Sequence, residues 1–474
     1  MSALATTATS VPETEAARPH TALFWLGVAL WIAAVAATWP VSLSFGDEVG
    51  YVGQARLILQ GRIHPVLSDP GVWHVRHTGP LPLIPKYPLL LAFIITPFLA
   101  LSPALVFVPS VLTAIALAWV AGRIFQSLGR SRLWGLIFLF DPTVTLLSRT
   151  VMADVMLVLF GLATWHAMRR RLAWQTILFA AATMTIKTTG VIIVGTLLAG
   201  QALTYLKEGK RLVEIARLLA PVLIGLCLGG VVVVALNLIS NGTIHSSYNE
   251  SFKEAFGLRF LRTSAVAHVK SLLLCPPLLI VGVWPFWRRR DYGPLLVIAT
   301  TIGMMFVYFF VDYGVGFVDS LVMSRRLILP AVAFLLIGYA EVLASLWARI
   351  PRRAVARVAL VMIPAVVALG LGFKHRRWQL PAHHALLRAE SWAEKLGVHE
   401  MGITHPAFKI GLLYPGPIAY AGVTKTELVL CNGSQSSYRL GDVRASCELR
   451  GYAPVEPSTD GYFILRRTTP TASQ

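Results

Sequence analysis

The sequence predicts an all-α polytopic membrane protein with about 11 to 12 transmembrane helices and a small extracytoplasmic α+β domain at its C-terminus. Hydrophobic residues make up 55% of the 474 positions and charged residues only 14%. The mean hydropathy is +0.65, which is far more apolar than a soluble globular protein. Apolar runs of roughly 20 residues, the length that a spanning helix needs, recur along most of the chain.

The positions of these runs divide the chain into three parts. The runs cover 22–42, 104–122, 133–150, 172–186, 188–206, 217–240, 268–287, 292–311, 327–347 and 355–373, and a shorter run covers 155–168. We expect residues 1–21 to form a disordered cytoplasmic tail, 22–373 a transmembrane domain and 374–474 an extracytoplasmic domain. Prolines at positions 82, 85, 88 and 97 interrupt residues 81–102, which predicts a short, broken or re-entrant element.

Basic clusters between the apolar runs account for the net charge of +19. Basic residues gather in the cytoplasmic loops of membrane proteins, and no nucleic-acid-binding motif accompanies these clusters. Placing the clusters in the cytoplasm makes the loops around Asp154, Lys187, 241–267 and 312–326 external. Membrane orientation therefore explains the charge, and we expect membrane lipids and no nucleic acid among the partners.

The polar C-terminal region predicts a small α+β domain. A helix is expected over residues 382–396, followed by short strands at 401–404, 428–430 and 462–465. Cys431 and Cys447 lie close together in this region. A disulfide between them is expected if the region is extracytoplasmic.

The first external loop, residues 44–80, carries two adjacent carboxylates at its start. Asp47 and Glu48 directly follow the first apolar run, in a chain with only 23 acidic residues. The spacing of Asp47, Tyr51, Ala55 and Ile58 predicts an amphipathic helix along the membrane face, which would hold a carboxylate at the boundary between lipid and water. Alternatively, Asp47 and Glu48 only cap this helix, since negative charge is favourable at a helix N-terminus.

The external ends of separate spans supply ionisable side chains of both signs. The acids are Asp47, Glu48 and Asp154, and the cations are Lys86, Arg149, Lys187, Arg325 and Arg326. Ionisable residues at membrane depth are costly and usually mark substrate pathways. A carboxylate base can activate an acceptor, and cations can neutralise a phosphate leaving group. Alternatively, these side chains have only structural roles, as lysines at the membrane interface, as ion pairs at helix ends or as anchors for the ends of spans.

Five short motifs, in chain order, resemble a known family. They are Phe45-Gly46-Asp47-Glu48, Lys86-Tyr87-Pro88-Leu89, Ser148-Arg149 with Asp154, Lys187-Thr188-Thr189-Gly190, and Arg325-Arg326-Leu327-Ile328-Leu329-Pro330. Together they resemble GT-C glycosyltransferases, in particular the branch of protein O-mannosyltransferases and lipid A aminoarabinose transferases. Two of the motifs depart from the family pattern, because two threonines separate Lys187 from Gly190 and Arg326-Leu327 replaces Arg-Tyr.

The resemblance implies an inverting transfer from a polyprenyl-phosphate sugar to a lipid, glycan or protein acceptor. It implies that Asp47 is the catalytic base or a carboxylate that orients the acceptor, with Glu48 as its neighbour. It implies that Asp154 orients Arg149, contacts the acceptor or the sugar, or helps to hold a metal. It also implies that the donor phosphate is bound by a set of cations. These cations are Lys86, Arg149, Lys187, Arg325 and Arg326. We expect no metal-binding residues, although the resemblance leaves a divalent metal open. His64, His74 and His77 lack the spacing of a zinc site.

Two other functional classes fit parts of the sequence. A transporter or flippase of a lipid-linked sugar would also place charges among many helices, but we find no inverted repeat. A non-catalytic assembly protein would depend on the C-terminal domain and not on Asp47. The preferred hypothesis is a glycosyltransferase of the bacterial inner membrane with its active site facing the periplasm or exterior.

Overall fold

The structure is a computed structural model of the chain. It describes residues 18–44, 46–63, 75–76, 84–85, 89–241, 256–274, 276–308, 324–347, 353–403, 419–421, 427–432, 452–456 and 462–468. The predicted N-terminal tail lies almost wholly outside the described residues.

Helices dominate the described chain, in agreement with the predicted fold class. They are α1 (Arg18–Ala37), α2 (Gly46–Leu59), α3 (Leu89–Leu101), α4 (Val108–Ser127), α5 (Ile137–Phe140), α6 (Pro142–Leu147), α7 (Asp154–Arg169), α8 (Ala173–Ile186), α9 (Gly190–Lys207), α10 (Leu212–Asn241), α11 (Leu261–Leu274), α12 (Val283–Arg289), α13 (Tyr292–Phe306), α14 (Leu329–Trp347) and α15 (Arg353–Leu396). Short 3-10 segments at Pro103–Phe107, Arg132–Leu136, Leu258–Phe260 and Leu279–Gly282 join some of them.

The helices pack around one large apolar core. Five helices in the described residues are long and apolar enough to cross a membrane, and four shorter apolar helices accompany them. Helix α1 packs on α15, α8 lies between α7 and α10, and α9 packs on α13. At the α9–α13 crossing, a Cβ on Gly200 would lie 2.5 Å from the Cα of Gly293. Small residues allow this close approach of two helices.

Two predicted spans are wrong as continuous helices. The run 133–150 is divided into a 3-10 turn, α5 and α6, because Asp141 caps the N-terminus of α6 and Pro142 occupies its first turn. The run 268–287 is divided between α11, a 3-10 turn and α12, with Pro276 and Pro277 at the break. Proline lacks the backbone donor that a helix interior requires. Apolar composition alone could not locate these breaks.

The prediction of a short element within 81–102 is confirmed. Helix α3 has 13 residues, which span about 20 Å and fall short of the hydrocarbon core. Ser102 follows α3 and caps the next 3-10 turn by accepting from the amide of Ala104. The chain then continues directly into α4.

Helix α2 forms where the sequence predicts it, but its predicted amphipathic character is wrong. Tyr51 and Ala55 of the predicted apolar face are buried, and so are Val52, Gln54 and Leu57 on other faces. Helix α2 packs against α3. Other parts of the protein cover more than one side of α2. These contacts hold the first turn of the helix in place.

Helix α15 is longer than the sequence predicts. The last predicted span and the predicted helix 382–396 form one continuous helix of 44 residues. The change from apolar to polar sequence near residue 374 therefore falls inside a helix. Its polar half carries the chain to the C-terminal sheet.

The C-terminal strands confirm the predicted α+β region. A two-stranded pair, β1 (Val75–Arg76) with β2 (Ile84–Pro85), lies earlier in the chain. The later strands are β3 (Glu400–Ile403), β4 (Ala419–Ala421), β5 (Leu428–Asn432), β6 (Tyr452–Pro454) and β7 (Tyr462–Arg467). Their order is β4-β3-β5-β7-β6, with β3 parallel to β4 and β5 and the other pairs antiparallel. The predicted disulfide stays a prediction, because Cys447 lies outside the described residues.

Candidate active site

Four predicted site residues meet in one ion-pair network. Arg326 donates to the carboxylate of Asp47, and its Nε donates to Oδ2 of Asp154 at 3.1 Å. The Nζ of Lys187 donates to Oδ1 of Asp154 at 2.7 Å. Two carboxylates and two cations thus form a formally neutral chain in the order Asp47, Arg326, Asp154, Lys187.

Helix ends position these four side chains. Asp47 lies in the first turn of α2, and Asp154 is the first residue of α7. Lys187 directly follows the last residue of α8, and Arg326 lies shortly before α14. Acids at helix N-termini and cations at C-termini complement the helix dipoles. The local backbone therefore favours the charge that three of the four residues carry.

Glu48 is turned away from the network and bound to backbone amides. Its Oε2 accepts from the amide of Ser44 at 2.5 Å, and its Oε1 accepts from the amide of Val151 at 2.7 Å. The side chain is fully buried. A buried carboxylate that accepts backbone N–H groups is well satisfied. Glu48 thereby joins the start of α2 to the loop before α7, the two segments that carry Asp47 and Asp154.

Arg325 lies in a separate buried ion pair. It donates to Oδ2 of Asp141, and both side chains have no solvent exposure. The other oxygen of Asp141 accepts from the amides of Thr143 at 3.0 Å and Val144 at 3.1 Å. Adjacent residues Arg325 and Arg326 thus serve different acids. Sequence reasoning missed Asp141, although an Asp before a Pro is a common signal for a helix start.

Arg149 is fully buried behind the network. Its NH1 donates to the Oγ1 of Thr38 at 2.7 Å, whereas Nε and NH2 have no hydrogen-bond partner in the described chain. Burial lowers the pKa of Arg149 to about 10, and the nearby charge of Arg376 adds to this shift. Two unmatched buried nitrogens on a cation favour an anion or water beside them.

Helix α15 supports the connection that leads into α2. The Nε2 of Gln379 donates to the carbonyl of Ser42 at 2.5 Å and to the hydroxyl of Ser44 at 2.7 Å. The ring of His375 lies 2.5 Å from the same hydroxyl. His375 and Gln379 are one helical turn apart, which puts both on one face. Their spacing was the only sequence signal for this role.

Several predicted residues are not part of this geometry. Lys86 and the three histidines of the first loop lie outside the described residues. In the part of the chain that the structure describes, no group of three or more His, Cys, Asp or Glu side chains could hold a metal ion.

Solved structures share this overall architecture. The sequence matches no protein-family model and no curated protein. The fold is similar to that of ArnT from Cupriavidus metallidurans bound to undecaprenyl phosphate, with a TM-score of 0.60 over 96% of this chain and 99% of that chain. The chain has the ArnT fold. The ArnT apo state gives the same TM-score, with 95% and 98% coverage.

The similarity to ArnT holds across the whole length at very low identity. The two ArnT structures are 13% and 14% identical to this chain. The comparison therefore confirms the predicted polytopic fold with its C-terminal strand region. The site residues rest on the geometry described above.

Proposed function

We propose that the chain is a membrane glycosyltransferase that transfers a sugar from a polyprenyl-phosphate donor to a lipid, glycan or protein acceptor. The observation that carries the proposal is the network of Asp47, Arg326, Asp154 and Lys187, built from four separate segments in a chain with the ArnT fold. Undecaprenyl phosphate bound to ArnT supports a lipid-phosphate donor. The proposed location is a bacterial inner membrane, with the network on its extracytoplasmic side.

The reaction requires one base and a stabilised leaving group. The acceptor oxygen or nitrogen attacks the anomeric carbon of the sugar, and the bond from that carbon to the phosphate oxygen breaks. The electron pair leaves with the polyprenyl phosphate, and Asp47 takes the acceptor proton. This displacement inverts the anomeric configuration.

The network gives each charged residue a role in this step. Arg326 and Lys187 would bind the phosphate, and Asp154 holds both cations in place before the donor arrives. When the phosphate binds, Arg326 exchanges its contact with Asp47 for the phosphate. Asp47 then gains basicity, because a carboxylate released from a cation binds a proton more tightly.

The buried cations take supporting roles in the proposal. Arg149 and Arg325 are both without solvent exposure, so we assign them to the positive potential around the phosphate and not to direct contact with it. Lys86 is assigned to the phosphate on the resemblance alone. Glu48 positions Asp47 through the backbone amides that it binds.

The proposal is tested by release of polyprenyl phosphate. The purified full chain in lipid is given a panel of radiolabelled polyprenyl-phosphate sugars with and without candidate acceptors. Asp47→Asn should lose nearly all acceptor-dependent release while it keeps donor binding. Glu208→Gln is the matched control, because Glu208 is an exposed acid that pairs with Lys210.

The outcomes separate the proposed class from its rival. Near-normal release by Asp47→Asn would exclude the assigned base. Donor binding without release across the panel would favour a transporter or flippase, and movement of the donor across vesicle bilayers would then be measured.

A further inference from the structure

Tyr308 lies on the same side of the helix bundle as the network of Asp47. It follows α13 by two residues, and Arg326 precedes α14 by three. Helices α13 and α14 pack against each other. Arg289, just before the start of α13, donates to Glu341 in the second half of α14 at 2.8 Å, so the two helices run antiparallel. The end of α13 and the start of α14 therefore face one side, which brings Tyr308 toward Arg326.

Helix α11 and the segment before it fix Tyr308 in place. The amide of Gly257 donates to the carbonyl of Val307 at 2.8 Å. The hydroxyl of Ser264 donates to the carbonyl of Tyr308 at 2.6 Å. The ring of Tyr308 packs edge-on against Phe256, with the ring centroids 5.0 Å apart. The backbone and the ring are thus held by contacts that do not use the phenol hydroxyl.

The phenol hydroxyl of Tyr308 can act as a hydrogen-bond donor to the site. No hydrogen bond to another described residue uses this hydroxyl, and the residue is half-buried. Burial raises the pKa of Tyr308, the charge of Asp47 raises it further, and Arg326 opposes both. The phenol therefore stays protonated at neutral pH and can donate to an anion. The two charges that act on it form one ion pair, so the hydroxyl lies near that pair.

Groups from several other elements face the carboxylate of Asp47. Arg326, before α14, donates to it, and Asp154 at the start of α7 shares the same guanidinium. Lys187, after α8, reaches this network through Asp154, while α3, which packs on α2, has no charged side chain. Tyr308 is the neutral donor that follows α13. A phenol that holds a carboxylate leaves it more basic than a guanidinium does, because the hydrogen bond carries no positive charge.

We propose that Tyr308 is a positioning residue for Asp47, whose carboxylate accepts from the phenol hydroxyl once the donor phosphate has drawn Arg326 away. The role rests on the proposed function, since it orients the base of that reaction during the displacement. Asp47 still takes the proton of the acceptor, and Tyr308 keeps its own proton throughout. The leaving polyprenyl phosphate carries the electron pair as before.

The pH profile of Tyr308→Phe tests this role. The variant removes only the hydroxyl and keeps the ring and its backbone contacts, so its unfolding temperature should match the wild type. A carboxylate that loses a hydrogen-bond donor binds a proton more tightly. The acidic limb of acceptor-dependent polyprenyl-phosphate release should therefore move to higher pH by about 0.5 to 1 pH unit. Binding of the polyprenyl-phosphate sugar should not change.

Tyr292→Phe is the matched control for Tyr308→Phe. Tyr292 is a half-buried tyrosine at the opposite end of the same helix, and its variant should keep the wild-type pH profile. An equal shift of the acidic limb in both variants would show a general effect on α13 and overturn the role. Weaker donor binding by Tyr308→Phe with an unmoved acidic limb would put the hydroxyl on the phosphate and also overturn it.

Failure of this role is distinguishable from failure of the proposed function. If wild-type release depends on Asp47 while Tyr308→Phe has the wild-type profile and donor affinity, only the role of Tyr308 is excluded. If Tyr308→Phe lowers the unfolding temperature and leaves the pH profile unmoved, the hydroxyl serves packing alone. If the wild type releases no polyprenyl phosphate across the panel, the proposed function fails and the role of Tyr308 fails with it.

Discussion

Arg326 donates to the carboxylate of Asp47, which lies 279 positions earlier in the chain. The same guanidinium donates to Asp154, so one side chain connects the starts of α2 and α7. The fold therefore assembles the proposed site from distant segments before any substrate binds. Such preorganisation lowers the cost of aligning charges during a reaction.

Removing the charge of Asp154 should destabilise the protein and uncouple its two cations. Asp154→Asn should cost about 3 kcal/mol of unfolding free energy, because Arg326 and Lys187 lose a buried carboxylate. Lys187→Met should cost less, since this side chain is 25% exposed. The double variant should cost about 1 to 2 kcal/mol less than the sum of the single variants. Thermal unfolding in detergent tests this cycle, and strictly additive losses would contradict the pairing.

Glu48→Gln should separate positioning from chemistry. Gln has one oxygen, so the amide of Ser44 or of Val151 would face its NH2 group and lose an acceptor. An unsatisfied buried donor costs about 1 to 3 kcal/mol. We expect a lower unfolding temperature and reduced polyprenyl-phosphate release in Glu48→Gln, whereas Asp47→Asn should lose release at a nearly unchanged unfolding temperature. Equal thermal stability of the two variants would argue against the positioning role.

The thermal stability of the protein should fall more when one member of the buried pair of Arg325 and Asp141 is replaced than when both are replaced. Arg325→Met leaves the carboxylate of Asp141 buried without its cation, at a cost of about 3 to 5 kcal/mol. Adding Asp141→Asn removes that charge and keeps an oxygen for the amides of Thr143 and Val144. The double variant should therefore recover part of the lost unfolding temperature. A double variant less stable than Arg325→Met would show that the pair is not the main interaction.

Two glycines of α15 offer a matched test of packing. A Cβ on Gly372 would collide with Thr38 and crowd Arg149, whereas nothing lies within 4 Å of a Cβ on Gly370. Gly372→Ala should cost about 1 to 3 kcal/mol through overpacking. Gly370→Ala should raise stability by about 0.5 to 1 kcal/mol, because alanine favours helix. Unfolding temperatures that move in the same direction would contradict the close contact of α1, Arg149 and α15.

The sequence predicted the membrane class, α2 and the strands β3, β5 and β7, because apolar periodicity and turn residues are local signals. It also placed Asp47, Asp154, Lys187 and Arg326 on one side of the membrane, and the structure joins these four. It could not assign partners among the cations, since nothing local indicates that Arg325 faces Asp141 while Arg326 faces Asp47. Burial is likewise a tertiary property, so Arg149 and Glu48 looked equivalent to exposed site residues. The helix breaks at Asp141 and Pro276 depend on a capping residue and on prolines. Hydropathy averaged over a run does not reveal them.

The attachment of the C-terminal sheet to α15 gives the last prediction. Glu456, just after β6, accepts from the Nε of Arg388 at 3.0 Å and from the Nε1 of Trp392 at 2.9 Å. Glu456→Ala removes both bonds and should lower the local opening free energy by about 1 to 2 kcal/mol. Amide hydrogen exchange in β5 and β7 should then be faster.

A second acid in the same sheet provides the control for Glu456→Ala. Glu427 pairs with Arg466, but both side chains are 48% exposed, and exposed pairs contribute little. Glu427→Ala should therefore leave exchange in β5 and β7 nearly unchanged. If the two variants accelerate exchange equally, the sheet is held by its own ladder and not by α15. If only Glu456→Ala does so, α15 anchors the sheet through Arg388 and Trp392. These two residues lie about 2.5 to 4.7 turns along the helix from Gln379 and His375, which bind the connection that leads into α2.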